Sequence, residues 1–490
     1  MAPTGKAAAS AARKQRTGSK RTREDDGVAT LAQKKRQTIS RPEPPKPALT
    51  ERPTEPLNIY AFGANSGGEL GLGPSVKSGN VSRPRLNPYL SGSVGVVQVS
   101  LGAMHGAALT LDNRILTWGV NDHGALGRDT SWEAAMVDAD DNNSDGEGDG
   151  EGELNPKEST PSAVNMSSLP ADIIFTQVAA ADNATFALTN TGLVYGWGTF
   201  RSNDGELAFS STVAVQFQPA LIPSLNGVMK ICCGSNHVLA LTVDGSVYTW
   251  GKGSEGQLGR RFSFRVADWK KDWLIPRKIP SLSNIVDIGT GPSHSFAIER
   301  TGAVYGWGFN NAGQIGVIDI DGEVESDFKS AVFIPTPGRI KSLQEFGRIT
   351  RITGGKFHTI AATEDGKCLT WGRLFSFATG LKIDAIAKPS IVHHSSTRYE
   401  PSFLKLPTAV EGIVPLSIAA ASEHSLAVAV DHQVYTWGLN LTKQLGQKGE
   451  EVEVAAPLRH DSISGKQIVW VGTGAQFSMV GEVAASSVGS

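Results

Sequence analysis

Apolar and polar residues alternate in short runs along most of this chain, a pattern typical of β-strands with one buried face. In one run, Leu239, Leu241 and Val243 occupy alternate positions. Asp244-Gly245 follows and predicts a tight hairpin turn, because glycine adopts a positive φ without a Cβ clash. Val247 to Trp250 is rich in β-branched and aromatic residues and predicts the return strand. The segment therefore predicts a small antiparallel hairpin.

The hairpin pattern recurs along the chain, and each return strand ends in an aromatic residue followed by glycine. The seven pairs are Phe62-Gly63, Trp118-Gly119, Trp197-Gly198, Trp250-Gly251, Trp307-Gly308, Trp371-Gly372 and Trp437-Gly438. Successive glycines are 56, 79, 53, 57, 64 and 66 residues apart. One small sheet cannot bury its apolar face alone, but about seven sheets stacked around an axis can, as in a β-propeller. A linear β-solenoid is the alternative.

The two ends of the chain favour the closed ring over the solenoid. Asn58 to Gly63 matches a return strand without its first half, and Ile468 to Val480 matches a first half without its return strand. These segments should therefore share one blade. We predict an all-β fold, a closed seven-bladed β-propeller over residues 56–484, with a short C-terminal tail at 485–490.

Charge is distributed unevenly, although the net charge is only -2. Residues 1–55 lack apolar periodicity and are rich in Ala, Pro, Ser and Thr, so we expect a disordered basic tail. Its two basic clusters predict a bipartite nuclear import signal and hence an import receptor as a partner. These clusters are Lys20, Arg21 and Lys34, Lys35, Arg36. The alternatives are a solvated tail without an address, or contacts to nucleic-acid phosphates.

Two long insertions interrupt the repeats. The first, at 132–160, includes Asp138 to Glu153, which has eight acidic and no basic residues, so we expect a mobile, solvated loop. Contact with a basic partner or with the basic tail is the alternative. The second, at 260–278, mixes Arg and Lys with Phe and Trp, a composition favoured at recognition surfaces. Its alternative is a basic rim loop with packed aromatic residues.

The third repeat departs from the others at two places. Ala181 to Ala184 replaces the usual Gly-x-x-His, and Thr199 to Leu207 replaces the usual Asn-x-x-Gly-Gln-Leu-Gly loop. Phe200 and Arg201 are expected on a loop at the edge of the blade. Departures that a repeat scaffold does not require point to function.

Residue types that carry catalytic chemistry are sparse or wrongly spaced. Histidines recur at one phase of five repeats, so in a ring they would lie too far apart to bind one metal ion. We expect each of them to make a hydrogen bond between neighbouring strands. Only three cysteines are present, which fits a reducing compartment. No Ser-His-Asp signature, P-loop or membrane-spanning apolar run is evident. We therefore predict a monomeric binding protein without cofactor, metal or covalent chemistry.

The repeat resembles that of the regulator of chromosome condensation family, most closely at residues 234–259. The resemblance extends over about residues 56–484, in a chain that is nearly all propeller behind a basic tail. Trp197 to Gly205 resembles the wedge loop of the family's nuclear guanine-nucleotide exchange factors for the small GTPase Ran. The same repeat occurs in ubiquitin-ligase subunits and inhibitor proteins, so a propeller scaffold or ligase adaptor is the alternative.

The resemblance implies that one propeller face grips Ran and that the wedge loosens its Mg²⁺ and nucleotide. It also implies a nuclear, chromatin-associated protein whose opposite face and tail bind nucleosomes. The resemblance assigns the wedge to Phe200, Arg201, Ser202, Asn203 and Asp204. It assigns the GTPase-binding face to Asp182, Asn236 and His358. It assigns chromatin binding to Arg260, Arg261, Arg265, Lys270 and Lys271. Asn236 stands where an acidic residue is expected, and Phe357 precedes His358.

Overall fold

The structure is a computed structural model, and it describes residues 48–133, 153–262, 269–317, 332–387, 391–392 and 403–485. The basic clusters of the tail, most of the acidic insertion and Arg265 lie outside these residues.

Seven antiparallel sheets form the blades of a propeller, and a separate two-stranded hairpin is added to the third. In the N-terminal part the strands are β1 (Leu57–Ala64), β2 (Asn80–Leu86), β3 (Val96–Leu101), β4 (His105–Thr110), β5 (Ile115–Gly119), β6 (Ser162–Ala163), β7 (Phe175–Ala180), β8 (Ala184–Thr189), β9 (Val194–Gly198), β10 (Phe200–Ser202), β11 (Gly205–Ala208) and β12 (Gln216–Leu221). In the middle they are β13 (Val228–Cys233), β14 (His237–Thr242), β15 (Val247–Gly251), β16 (Arg277–Lys278), β17 (Ile285–Thr290), β18 (His294–Glu299), β19 (Val304–Phe309) and β20 (Phe333–Arg339). In the C-terminal part they are β21 (Ile349–Gly354), β22 (His358–Thr363), β23 (Cys368–Arg373), β24 (Ile391–Val392), β25 (Phe403–Val410), β26 (Pro415–Ala420), β27 (His424–Ala429), β28 (Val434–Leu439), β29 (Glu453–Arg459), β30 (Ile468–Thr473) and β31 (Phe477–Val483).

The described helices are short and lie in the connections. They are α1 (Pro156–Ser159), α2 (Trp269–Trp273) and the 3-10 turns Lys341–Phe346, Phe375–Phe377, Ile383–Ala385 and Asp461–Ile463.

Six blades are four-stranded meanders and blade 6 has a fifth strand; the blades are numbered here from the closing blade. In strand order, blade 1 is β2-β1-β31-β30, blade 2 is β3 to β6, blade 3 is β7-β8-β9-β12, blade 4 is β13 to β16, blade 5 is β17 to β20, blade 6 is β21-β22-β23-β25-β24 and blade 7 is β26 to β29. The first strand of each meander lines the central channel, since residues of β3, β7 and β13 surround a cavity of about 490 Å³ there.

Blade 1 closes the ring as the sequence predicts. β1 pairs antiparallel with β31 from Leu57 opposite Val483 to Gly63 opposite Phe477. Both termini of the propeller therefore contribute to one sheet, which leaves no open end and confirms the propeller over the solenoid.

The recurring aromatic-glycine pair has a steric cause. The glycines of all seven pairs have φ between 94° and 107°, which side-chain-bearing residues rarely adopt. At Gly251 an added Cβ would lie 2.4 Å from the carbonyl oxygen of Asn236. The aromatic residue beside each glycine is buried, and five of the six tryptophans donate Nε1–H to a carbonyl in the preceding blade's loop. The pairs are Trp118 to Glu69, Trp197 to Ala125, Trp307 to Gln257, Trp371 to Gln314 and Trp437 to Ala378, at 2.8–2.9 Å.

The five repeat histidines connect neighbouring blades, as expected. Each Nε2 lies 2.8–3.3 Å from a hydroxyl of the next blade, in the pairs His105–Thr185, His237–Ser295, His294–Thr359, His358–Ser425 and His424–Ser478. Each hydroxyl also donates to a carbonyl of the glycine-rich loop, for example Ser425 to Ala378 at 2.8 Å. Because that donation uses the hydroxyl's only hydrogen, Nε2 must carry the proton in the histidine.

These buried histidines should make the propeller sensitive to acid. Burial lowers the pKa of His237, His294, His358 and His424 from 6.5 to about 3, and that of His105 to about 4. The unfolded chain then binds more protons than the folded chain, so stability is complete above pH 6.5 and is lost as the pH falls toward the folded values. We expect His358→Gln to reduce the pH slope of the unfolding free energy between pH 6.5 and 4.5 by up to about 1.4 kcal/mol per pH unit. Urea unfolding across this range measures it, and equal slopes for parent and variant would contradict it.

Candidate functional site

The feature that distinguishes blade 3 is a hairpin formed by β10 and β11. Arg201 pairs with Glu206, and Ser202 pairs with Gly205. The tip residues Asn203 and Asp204 are exposed, as is Arg201. The sequence predicted a loop at the edge of the blade here, and the structure shows that this loop is a two-stranded hairpin.

Phe200 differs from its predicted role as a wedge contact residue. Its side chain is fully buried, and its ring stacks on Phe186 at 6.0 Å and on Phe209 at 6.4 Å. Trp250 of blade 4 packs edge-on against Phe186 at 5.7 Å. Phe200 therefore anchors the base of the hairpin in the core, and its contact with a partner stays a prediction.

Part of the departure of the third repeat is structural rather than functional. Ala184 stands at the histidine position of blade 3, and Val238 stands at the hydroxyl position of blade 4, so the polar connection is absent between these two blades. Within the described residues, Trp250 also lacks the bond to the preceding loop that five other tryptophans make. The aromatic cluster around Phe200 replaces these polar contacts.

Three polar contacts fix the hairpin above this cluster. The backbone N–H of Arg201 donates to Asn236 Oδ1 at 2.6 Å. Lys252 Nζ donates to Asn203 Oδ1 at 2.8 Å and pairs with Glu255 at 2.9 Å. At the tip, the Asp204 N–H donates to the Ser202 hydroxyl at 3.3 Å and closes the turn. Asn236 and Lys252 of blade 4 therefore position the hairpin, and Glu255 in turn holds Lys252.

Asp182 and His358, predicted on the partner-binding face, differ in accessibility. The half-buried Asp182 borders the central channel, and its N–H donates to the Ser235 carbonyl at 2.9 Å. Burial raises the pKa of Asp182, although a hydrogen bond from Ser235 and the charge of Lys252 oppose the rise. His358 is only 1% exposed and bonds to Ser425, so it connects two blades here, and its contact with a partner stays a prediction.

The basic loop also divides into structural and accessible residues. The Arg260 side chain is 7% exposed, lies 4.4 Å above the Phe262 ring and bonds to Asp272 at 3.1 Å. Arg260 therefore holds the loop together, and its contact with chromatin stays a prediction. Arg261 and Lys271 are exposed.

Lys270 places the basic loop beside the hairpin. Its Nζ lies 2.8 Å from Asp204 Oδ2, and the ammonium lowers the pKa of the Asp204 carboxyl. A cleft of about 430 Å³ between the two segments is lined by Ser202, Glu206 and Leu274, among others. Both segments follow the third strand of their blades, and these strands end on one face of the ring. The prediction that the loop lies on the face opposite the wedge does not match this arrangement.

Sequence reasoning missed Lys252, Glu255 and the partners of Phe200. A signal was available for Lys252, because the residue after the aromatic-glycine pair is cationic in blades 4 and 6 alone. From blade 1 to blade 7 this residue is Ala64, Val120, Thr199, Lys252, Phe309, Arg373 and Leu439. Phe186 and Phe209 gave no signal, since apolar residues are expected on any buried strand.

Within the described ranges, no three His, Cys, Asp or Glu residues lie close enough to hold a metal ion. In the same part of the chain, no helix has the length and apolar character needed to cross a bilayer.

Comparison with known proteins places this geometry in context. The RCC1-like domain family matches residues 58–480. The guanine nucleotide exchange factor SRM1 of Saccharomyces cerevisiae is 34% identical and aligns over 88% of each chain.

Two solved structures have the same architecture. The crystal structure of Prp20p from Saccharomyces cerevisiae, studied with its binding to Gsp1p and histones, gives a TM-score of 0.76 at 32% identity. The alignment covers 88% of this chain and 92% of Prp20p. Yeast RCC1 (Prp20) bound to Kap60 gives a TM-score of 0.78 at 30% identity, covering 94% and 97% of the two chains.

Proposed function

Because this chain belongs to the RCC1-like domain family, we propose that it is a guanine-nucleotide exchange factor for the small GTPase Ran. Its relative SRM1 carries the name of an exchange factor, and the related Prp20p was studied for binding to Gsp1p. The single observation that carries the proposal is the supported hairpin of blade 3, which stands where the other blades have a glycine-rich turn.

The hairpin suits nucleotide release because it is held in place before the partner arrives. Arg201 and Asp204 present opposite charges on a short extension, while Asn236 and Lys252 fix its backbone and tip. An exchange factor shifts the GTPase toward the empty state only by binding that state more tightly than the nucleotide-bound state. Charged groups of the hairpin can bind the empty state more tightly if they contact the phosphate-binding region of Ran when nucleotide and Mg²⁺ are absent. No covalent step is required of this chain.

Release of a fluorescent GDP analogue from Ran tests the proposal directly. We expect the chain to accelerate release, in a manner that saturates with its concentration. A small GTPase of another class is the control and should lose nucleotide at its intrinsic rate. A scaffold or ligase adaptor predicts no acceleration with either GTPase, and that result would overturn the proposal.

Asn236 should act by positioning the hairpin. Asn236→Ala removes the acceptor for the Arg201 N–H, a bond of 2.6 Å, while Asn236→Asp keeps an acceptor at that place. We expect the alanine variant to exchange roughly fivefold more slowly, as a lost hydrogen bond of about 1 kcal/mol implies. The aspartate variant should stay near the parent rate. Release kinetics beside melting curves measure both, and equal rates for alanine and aspartate would contradict this role.

We further propose that the exposed cations of the basic loop bind chromatin. The related Prp20p was studied for histone binding. Arginine guanidinium groups pair well with carboxylates, because they can donate two parallel hydrogen bonds. Arg261 is exposed, whereas Arg260 is committed to Asp272.

In this proposal the protein is nuclear, and its residues 1–55 carry the import signal, consistent with the Kap60 complex of yeast RCC1. The acidic stretch of the insertion, Asp138 to Glu153, is proposed as a solvated loop, whereas its end from 154 to 160 packs on the propeller and includes α1.

Arg261→Ala combined with Arg265→Ala should weaken nucleosome binding by roughly tenfold, because each lost arginine contact at an interface typically costs more than 1 kcal/mol. Exchange on free Ran should persist. Binding titrations with nucleosomes at fixed salt measure the effect, and Arg300→Ala with Arg348→Ala serves as a matched loss of two charges elsewhere. Unchanged nucleosome affinity would shift the chromatin contact to the tail.

A further inference from the structure

The connection between blades 3 and 4 contains an Asn-Gly pair, a dipeptide that occurs once in the chain, at Asn226 and Gly227. The pair directly precedes Val228, the first residue of β13. Asn226 is exposed, and no described residue forms a hydrogen bond with its side-chain amide. This amide is therefore accessible to a reaction with the backbone that follows it.

The backbone nitrogen of Gly227 is also accessible. Gly227 has a φ of 66°, in the left-handed region, and an added Cβ would meet only Val243 Cγ2, at 3.4 Å. The Gly227 carbonyl accepts the Val243 N–H at 2.9 Å, whereas the Gly227 N–H has no acceptor among the described residues. Because glycine has no side chain, nothing on this residue shields its nitrogen.

The next connection of the ring shows that the fold does not require the Asn-Gly pair. Ile-Pro-Ser-Leu precedes the pair and also occurs between blades 4 and 5, where Ser283 and Asn284 follow it. Asn284 has a φ of 55°, and its carbonyl accepts the Arg300 N–H at 3.0 Å, just as that of Gly227 accepts from Val243. The position thus needs a left-handed backbone, which asparagine also adopts.

We propose that Asn226 is a site of spontaneous modification, at which its side-chain amide is lost through a cyclic imide. The Gly227 nitrogen gives up its proton and bonds to Asn226 Cγ. The Cγ–Nδ2 bond breaks, and Nδ2 takes up a proton and leaves as ammonia. Water then opens the imide at either carbonyl and yields aspartate or isoaspartate. The step needs neither an oxidant nor a metal, and asparagine is one of the thermally labile residues.

The isoaspartate product should disturb the core beneath the hairpin. Leu225 and Val228 flank the pair, and both are buried in the cluster that contains Phe200. In isoaspartate the main chain runs through Cβ and Cγ, which lengthens it between these two anchors. A close-packed core tolerates such shifts poorly. The Val228 N–H also donates to the Gly192 carbonyl of blade 3 at 3.1 Å, so the modified connection weakens this junction.

Peptide mapping of the full-length protein, incubated at mildly alkaline pH for increasing times, tests the proposal. The tryptic peptide 202–230 also contains Asn203, an exposed asparagine followed by Asp204, which serves as an internal reference. We expect Asn226 to convert to isoaspartate and aspartate while Asn203 stays intact. Conversion should be faster at higher pH, because the attacking nitrogen must lose its proton. The melting temperature should fall as isoaspartate accumulates.

Variants that borrow residues from the next connection are the matched controls. Asn226→Ser introduces the residue type of Ser283 and removes the reacting amide, so its melting temperature should stay constant during incubation. Gly227→Asn introduces the residue type of Asn284 and should slow conversion, since a side chain then shields the nitrogen. Fresh Asn226→Asp protein carries the new charge without the longer main chain and should melt close to the parent.

Two results would overturn the modification site. One is an unreacted Asn226 in the folded protein under conditions in which the free peptide 202–230 converts, and the other is conversion of Asn203 at the same rate. A melting temperature that falls equally in the parent and in Asn226→Ser would overturn the effect on the core. The chemistry and its test do not depend on the proposed exchange function.

Discussion

Replacing Arg201 and Asp204 together with alanine should lower the maximal rate of nucleotide release by at least about tenfold, while the melting temperature stays close to that of the parent. Both side chains are exposed at the hairpin, and each charge-assisted hydrogen bond to the partner contributes about 1.5–3 kcal/mol. Among the described residues, the ion pair lost is Asp204–Lys270, and exposed pairs of this kind add little to stability. The rate effect therefore reports on the partner rather than on the fold.

Lys270→Ala provides the control for this prediction. It breaks the ion pair with Asp204 but leaves both charged groups of the hairpin in place. If Asp204 contacts Ran directly, Lys270→Ala should keep most of the exchange rate. If Asp204 only fixes the hairpin through Lys270, the lysine variant should be impaired to the same extent. Fluorescent GDP release at saturating exchange factor measures both variants, and a double-alanine variant as fast as the parent would contradict the hairpin's role.

Phe200→Ala should destabilise the propeller by about 3–5 kcal/mol, the usual cost of deleting a buried aromatic side chain. Phe200 is fully buried and stacks on both Phe186 and Phe209, so its loss leaves a cavity between blades 3 and 4. This junction also lacks the histidine connection that five other junctions have, and so has little to compensate. Exchange should fall with stability, because the base of the hairpin loses its anchor.

Phe200→Leu distinguishes this anchoring role from a contact with the partner. A leucine keeps most of the buried volume, so we expect a smaller loss of stability and an exchange rate near that of the parent. An aromatic residue needed for direct contact would instead lose exchange in the leucine variant without losing stability. Chemical unfolding and GDP release measured on the same preparations decide between the two roles.

The repeat architecture was predictable because each of its devices has a local sequence signal. Asp-Gly turns, alternating strands and the aromatic-glycine pair all reflect short-range constraints, such as the positive φ at Gly251. The closing of the ring was predictable from two half-repeats at the ends of the chain. The structural role of the histidines followed from their even distribution around the ring.

The candidate site was harder to predict because its organisation depends on contacts between blades. The sequence marked Thr199 to Leu207 as unusual, yet it could not show that Phe200 turns inward while Arg201 stays in solvent. The cationic position after the Trp-Gly pair distinguished Lys252, but its role in holding the hairpin depends on Asn203 lying beside it. The ion pair between Asp204 and Lys270 joins residues 66 positions apart, so no local pattern indicated that the basic loop and the hairpin share a face.

The most direct measurement of the central claim is the affinity of this chain for Ran with and without nucleotide. An exchange factor must bind the empty GTPase far more tightly than the GDP-bound form, and a shift from 1% to 99% of the empty state needs a difference of about 10⁴-fold. Titration of the chain against nucleotide-free Ran and Ran·GDP gives both dissociation constants. We predict a ratio of about 10⁴ or more, which falls in the Arg201→Ala, Asp204→Ala variant. Equal affinities for the two forms would contradict nucleotide exchange and identify the chain as a scaffold.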